Sequence, residues 1–250
     1  MGRWSRRLSA PFIQFVGIAD GDNVIDVGCG TGSLTFAVAQ AADIGRIVGV
    51  DLSEVYLADA KRNTKDGRVT FETGDATALT YPDATFDRAV SMLVLQFVPD
   101  AERAIREMKR VVRPGGVVAA AVWDSYGGMP AQRMFWDTAA NLGIANEKDL
   151  AGFFFRPMTR PGELAAAWTR QGLTAVEPSA LTIRMDYASF EDYWEPIAAG
   201  EAALGKFASG LAPSEREWLV KGVRTSYLGG KPDGPRSFAA TTWVCKGIVP

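Results

Sequence analysis

Three glycines at alternate positions, Gly28, Gly30 and Gly32, follow the apolar run Val24-Ile25-Asp26-Val27 and precede a helical pattern. A strand that feeds such a loop into a helix offers backbone N–H groups, without side-chain clash, to whatever lies against it. The loop therefore suits a nucleotide-like ligand. Its spacing is GxGxG, because Ser33 stands where a GxGxxG dinucleotide loop has its third glycine. Cys29 is a small residue in this crowded loop, with no neighbouring base to activate it. Asp26 precedes the first glycine by two positions. A carboxylate there repels a pyrophosphate and suits a ligand that carries an ammonium and a sulfonium. Asp51 closes the next apolar run, Val48-Gly49-Val50, where an acid can grip both ribose hydroxyls or cap the following helix. Asp75, in Thr73-Gly74-Asp75-Ala76, is placed to accept from an adenine amino group, although a Gly-Asp pair is also an ordinary turn. Packing gives no reason for three carboxylates at successive strand ends.

These residues need a frame, and the chain alternates in a way that supplies one. Short strands are expected at Val24-Val27, Ile47-Val50, Val69-Phe71, Phe86-Leu95 and Val117-Trp123. Helical spacing follows the first in Leu34, Ala37, Val38 and Ala41, and follows the second over Ser53 to Arg62. Asp100 caps a helix with the face Ala101, Ala104, Ile105, Met108 and Val112, halted by Arg113-Pro114-Gly115-Gly116. Strand and helix in this rhythm predict an α/β fold, a parallel sheet with helices on both faces. The second half is less regular. Helices are expected over Pro130 to Leu142 and Pro161 to Gln171, and strands in Thr174 to Met185 and Ser237 to Ile248. Between those strands lies a helical insertion, residues 186–236, with an apolar stripe of Phe190, Tyr193, Trp194 and Ile197 and a capping box at Ser214-Glu215-Arg216-Glu217. The whole length of 250 residues is read as one domain, with 1–20 as an N-terminal helical or lid segment.

Composition narrows the chemistry. The chain has no histidine, which removes the commonest general base, the commonest metal ligand and every Ser-His or Cys-His pair. Its two cysteines are far apart, so no metal site is expected. Net charge is -2 without a basic block, which disfavours a nucleic-acid partner. No run approaches the roughly 20 apolar residues of a membrane span. The segment MGRWSRRLSAPF does not read as a secretory signal, and a cytoplasmic location is expected.

The stretch Val24 to Val122 resembles the class I S-adenosylmethionine-dependent methyltransferases, and within them the type-11, ubiquinone/menaquinone-type small-molecule branch. The carrying segments are VIDVGCGTGSL, VGVDLS, TGDATALTYPDATFDRAVSMLVLQFVPD and VVRPGGVVAAAVW. The resemblance implies a Rossmann-like seven-stranded sheet of order 3-2-1-4-5-7-6 with the last strand antiparallel, and a cap over the acceptor pocket. It implies S-adenosylmethionine as cofactor and S-adenosylhomocysteine as product. Asp26, Gly28, Gly30 and Gly32, with Cys29 between them, would cradle the methionine part. Asp51 and Leu52 would hold the ribose and flank the adenine, Asp75 and Ala76 would read the adenine edge, and Ser91 and Met92 would line the cofactor. Relatives often carry His where this chain has Gln96.

Methyl transfer from a sulfonium needs alignment and desolvation more than acid–base help. Asp124, Tyr126 and Tyr193 are positioned for a base, but none is assigned and the catalytic residue is left unknown. Gln96, Trp123, Tyr126, Tyr193 and Trp194 are candidate walls for a small, partly apolar methyl acceptor, the aromatic ones equally readable as core or as a homodimer face. Phe153-Phe154-Phe155 reads more readily as core, and Trp4-Ser5-Arg6-Arg7 as either a lid or an untethered terminus. A cofactor-binding subunit without catalysis, and a nicotinamide-dependent dehydrogenase, are the rival readings.

Overall fold

The computed structural model describes residues 2–200 and 202–250. Met1, at the head of the N-terminal segment, and Glu201, within the expected cap, lie outside them. The chain runs through α1 (Gly2–Val16), β1 (Asn23–Val27), α2 (Ser33–Ala41), β2 (Arg46–Asp51), α3 (Glu54–Asn63), β3 (Val69–Thr73) and β4 (Phe86–Met92). A 3-10 turn at Leu95–Phe97 leads to α4 (Ala101–Val111) and β5 (Val112–Trp123). Then come α5 (Pro130–Asn141), α6 (Glu147–Phe154), α7 (Glu163–Arg170) and β6 (Thr174–Tyr187). After them follow α8 (Phe190–Ala198), α9 (Ala202–Ser209), α10 (Pro213–Leu228) and β7 (Arg236–Ile248). The seven strands form one sheet of order β3-β2-β1-β4-β5-β7-β6, parallel through β5, with β7 antiparallel to β5. That is the order the resemblance implies.

The chain divides into two compact units. The first holds the residues up to Trp123, with Pro157–Leu181 and Thr242–Pro250. Its strands alternate side chains between two faces. Ile25, Val27, Val48 and Val50 meet Ile105, Met108, Leu164 and Trp168 in one core. Asp26 and Gly49 take the opposite face, where Thr35 and Phe71 lie against them. The N-terminal segment is not untethered. Trp4, Leu8, Phe12 and Val16, four residues apart, are buried, and α1 packs against α2.

The second unit, Asp124–Arg156 and Thr182–Thr241, is held by aromatic packing. Trp194 stacks on Phe190 at 5.9 Å and on Phe135 at 6.2 Å, and Tyr193 lies 5.8 Å from Tyr227. Phe153 and Phe154 are buried with them, whereas Phe155 is exposed and stacks on Tyr126 at 5.7 Å.

Several boundaries differ from the sequence reading. β4 stops at Met92, not Leu95, because Leu93 takes φ 68°, a conformation no strand continues through. Val112 belongs to β5 and not to the α4 face: it pairs with Phe86, and Arg113-Pro114-Gly115-Gly116 bulges out before pairing resumes at Arg88↔Val117. The capping box expected at Ser214 to Glu217 does not form; only its acidic half is present, two residues earlier. Pro213 occupies the first helical position of α10, and the Glu215 carboxylate accepts from the Ala212 N–H at 3.0 Å.

Candidate cofactor site

β1 carries Asp26 to the sheet edge, and the chain turns at once through Gly28, Gly30 and Gly32, with φ of 79°, 55° and 81°. Both Gly28 and Cys29 donate backbone N–H bonds to the Val50 carbonyl, at 2.7 and 3.0 Å, which clamps the loop to β2. The glycine at position 28 is needed for space as well as for φ: a Cβ there would lie 2.4 Å from both Val94 methyls. Gly28→Ala is therefore expected to unseat the loop and to lower the melting temperature and S-adenosylhomocysteine affinity together. Thermal unfolding with and without that nucleotide checks this, and a variant equal to the parent in both would mean that the close approach at Val94 is not needed.

Asp26 is almost wholly buried, and the Thr35 hydroxyl donates to its Oδ2 at 2.6 Å. Burial pushes its carboxyl up to about 7, with Asp51 adding repulsion and Thr35 opposing the shift. A cation brought to this carboxylate would relieve that penalty. Asp51 binds differently from a helix cap. Its Oδ2 accepts from Gly30 N–H and its Oδ1 from Ser53 N–H, each at 2.8 Å, while Ser53 itself caps α3. One carboxylate so fixes the glycine loop to the end of β2, and each oxygen retains a second lone pair for a hydroxyl. Leu52, beside it, is exposed.

Asp75 accepts from the Thr77 N–H at 2.7 Å and the Thr77 hydroxyl at 2.8 Å, both on Oδ1. These bonds, the backbone one first, hold its carboxyl below the usual range. Asp75 thus closes a turn, yet can still accept from a ligand; Ala76 follows it, partly buried. The Ser91 hydroxyl donates to the Val27 carbonyl at 2.9 Å, which joins β4 to β1 and takes up its only proton. Met92 is buried at the same sheet edge. Cys29 is buried, and burial, then Asp26 and Asp51, push its thiol up, the opposite of an activated nucleophile.

Of the candidate wall residues, Gln96 and Trp123 are brought together in the first unit. The Trp123 N–H donates to Gln96 Oε1 at 2.8 Å. Tyr126, Tyr193 and Trp194 belong to the second unit. Tyr193 donates its hydroxyl to the Ala131 carbonyl at 2.9 Å, and burial pushes its phenol up. Trp194 is sandwiched in the aromatic core. Tyr126 lines an open groove of about 630 Å³ with Arg133, Asp137 and Asn141. Asp124 accepts from Gly127 N–H at 3.0 Å, closing a turn. Among the described residues no three His, Cys, Asp or Glu side chains are grouped as metal ligands.

Two contributors escaped the sequence reading. Thr35 is a buried hydroxyl between Leu34 and Phe36 in the apolar helix α2, and that apolar setting was its only signal. Val94, the residue against Gly28, has none.

Residues 25–120 match the Methyltransf_11 family, a methyltransferase domain. Over 117 residues the chain is 36% identical to 27-O-demethylrifamycin SV methyltransferase of Amycolatopsis mediterranei, covering 45% of this chain and 43% of that one. Over 110 residues it is 37% identical to demethylmenaquinone methyltransferase of Bacillus subtilis, covering 42% and 47%. The chain spans about half the length of the curated relatives it matches. In fold it resembles a putative methyltransferase of Bacillus halodurans, with TM-score 0.63 and 17% identity over 97% of this chain and 98% of that one. It also resembles Haemonchus contortus phosphoethanolamine N-methyltransferase 2, solved with S-adenosyl-L-methionine, with TM-score 0.63 and 18% identity over 98% and 52%. Glycine loop, strand-end acids, sheet order and matching segment agree, and residues 25–120 are a methyltransferase domain of the type-11 branch of the class I S-adenosylmethionine-dependent family.

Proposed function

We propose that this protein transfers a methyl group from S-adenosylmethionine to a small, partly apolar metabolite. The observation that carries the reading is the buried Asp26 carboxylate under a glycine loop that Asp51 ties to β2. Asp26 with Gly28, Cys29, Gly30 and Gly32 would take the methionine end, its negative charge meeting the ammonium. Asp51 would hold the ribose with its remaining lone pairs, Leu52 would flank the adenine, and Asp75 and Ala76 would read its edge. Met92 and the backbone of Ser91 would line the cofactor. A dinucleotide fits less well, since Asp26 would face a pyrophosphate.

The fold's residues have little chemistry to supply beyond alignment and exclusion of water, because the sulfonium is already a good leaving group. The small-molecule acceptor rests on the relatives, which act on demethylrifamycin SV and demethylmenaquinone by their names. Net charge of -2 supports an acceptor other than nucleic acid.

Calorimetric titration with S-adenosylmethionine, S-adenosylhomocysteine and NADH tests the assignment. Low-micromolar binding of the two sulfur nucleotides is expected, with none for NADH. Asp51→Ala should weaken the sulfur nucleotides at least tenfold, since it removes the bond to the glycine loop, the bond to Ser53 and a ribose partner together. Binding of NADH alone would replace this reading with the dehydrogenase one.

A further inference from the structure

Gln96 holds a buried amide of which only one end is used. The residue lies in the 3-10 turn after β4, two positions beyond the Val94 that packs on Gly28, and is 4% exposed. Its oxygen is identified by its partner: a peptide N–H can only donate, so the atom facing Trp123 N is Oε1. Nε2, with two N–H groups, donates to no described residue. Nor is it sealed from solvent, for the sealed side-chain nitrogens lacking a partner are those of Trp136 and Trp243. The amide is therefore oriented by β5 and presents two donors at the carboxyl ends of β4 and β5, the edge at which open α/β sheets take ligands. Any ligand that covers those donors must bring an acceptor to them.

Two of the side chains that could take a proton from that ligand, Cys29 and Tyr193, are poorly suited. The chain has no imidazole. Cys29 and Tyr193 are both pushed up by burial, and Tyr193 is bonded to Ala131. A hydroxyl acidic enough to ionise by itself needs none of them.

We propose that Gln96 is the specificity-determining donor for the methyl acceptor, and that the acceptor is an acidic hydroxyl, phenolic or enolic, bound as its oxyanion. The inference rests on the methyltransferase reading above. The hydroxyl proton leaves to solvent before transfer. The oxyanion then attacks the sulfonium methyl: an O–C bond forms, the C–S bond breaks, and its electron pair returns to sulfur as the neutral thioether. The Nε2 donors hold the oxyanion in place and disfavour neutral alcohols and amines, which offer a weaker acceptor.

The test uses 4-nitrophenol, whose absorbance changes on ionisation, titrated into protein loaded with S-adenosylhomocysteine. The bound probe should ionise at lower pH than it does in water. Gln96→Leu, close in size but without polar atoms, should weaken phenolate binding by about tenfold or more and leave neutral-phenol binding within about twofold. Gln96→Glu keeps an oxygen for Trp123 N–H but replaces the donors with an acceptor, and should weaken phenolate binding further. Nucleotide affinity is measured first on each protein. Failure of the parent to bind the nucleotide overturns the cofactor reading and this one with it. A loaded parent that does not bind 4-nitrophenol, or whose bound probe ionises as it does in the Leu and Glu variants, overturns the Gln96 assignment alone.

Discussion

Asp26→Asn is expected to make the nucleotide-free protein more stable at pH 8 while nearly abolishing cofactor affinity. The carboxyl is raised from 3.8 to about 7, chiefly by burial. A group raised in the folded state binds its proton more tightly there than in the unfolded chain. Its contribution is full below about pH 4, is lost as pH rises toward 7, and above 7 becomes the whole cost of holding a buried carboxylate. Three units correspond to about 4 kcal/mol at most, each unit being about 1.4 kcal/mol. Asparagine carries no charge and can still accept from Thr35, so it should recover much of that difference at pH 8 and almost none at pH 4. Affinity moves the other way, because the variant has no charge to meet the ammonium. Loss of one partner of a buried pair costs roughly 2–5 kcal/mol, or about 30-fold and upward. Urea denaturation at pH 4 and pH 8, with nucleotide titration at pH 8, reads both. Equal stability at both pH values together with parental affinity would falsify the assignment of Asp26 as the buried counter-charge.

A comparably large effect is expected from Trp168→Ala, through the fold and not the chemistry. Trp168 is fully buried, donates its indole N–H to the Val118 carbonyl at 3.0 Å, and sits against Gly247 so closely that a Cβ there would lie 2.8 Å from the ring. With Met158, Leu164 and Leu173 it ties Pro157–Leu181 to the first unit's core. Truncation should cost about 3–5 kcal/mol from lost burial and the cavity left behind. Trp168→Phe keeps most of the volume and loses only the hydrogen bond, so its cost should be nearer 1 kcal/mol. Chemical denaturation gives both values. If the alanine variant lost no more than the phenylalanine one, the segment would be an attached loop and not part of the core.

The lining of the sheet edge was legible because it is local. Asp26, the three glycines, Asp51 and Asp75 each sit at the end of an apolar run, and a strand-to-loop-to-helix change of period places such residues at one edge of a parallel sheet whatever the distant chain does. Most helices and strands followed from the same periodicity, but α6 did not, and ends did not: Leu93 turns out of β4 and Val112 joins β5 because neighbouring strands, not nearby residues, decide where pairing stops.

The sequence by itself thus determined the glycine loop, the acids and the alternating frame, since each depends on residues within one or two turns of one another. Tertiary structure alone decided that Thr35 meets Asp26, that Val94 fills the space Gly28 leaves, that Asp51 ties the loop down through Gly30, and that Trp123 orients Gln96. Tertiary structure also assigned Tyr193 and Trp194 to an aromatic core, where the sequence left core and pocket wall equally open. The reason is the same in each case. Such contacts join positions far apart in the chain or on different elements, and they depend on strand register and helix packing, which no local pattern encodes.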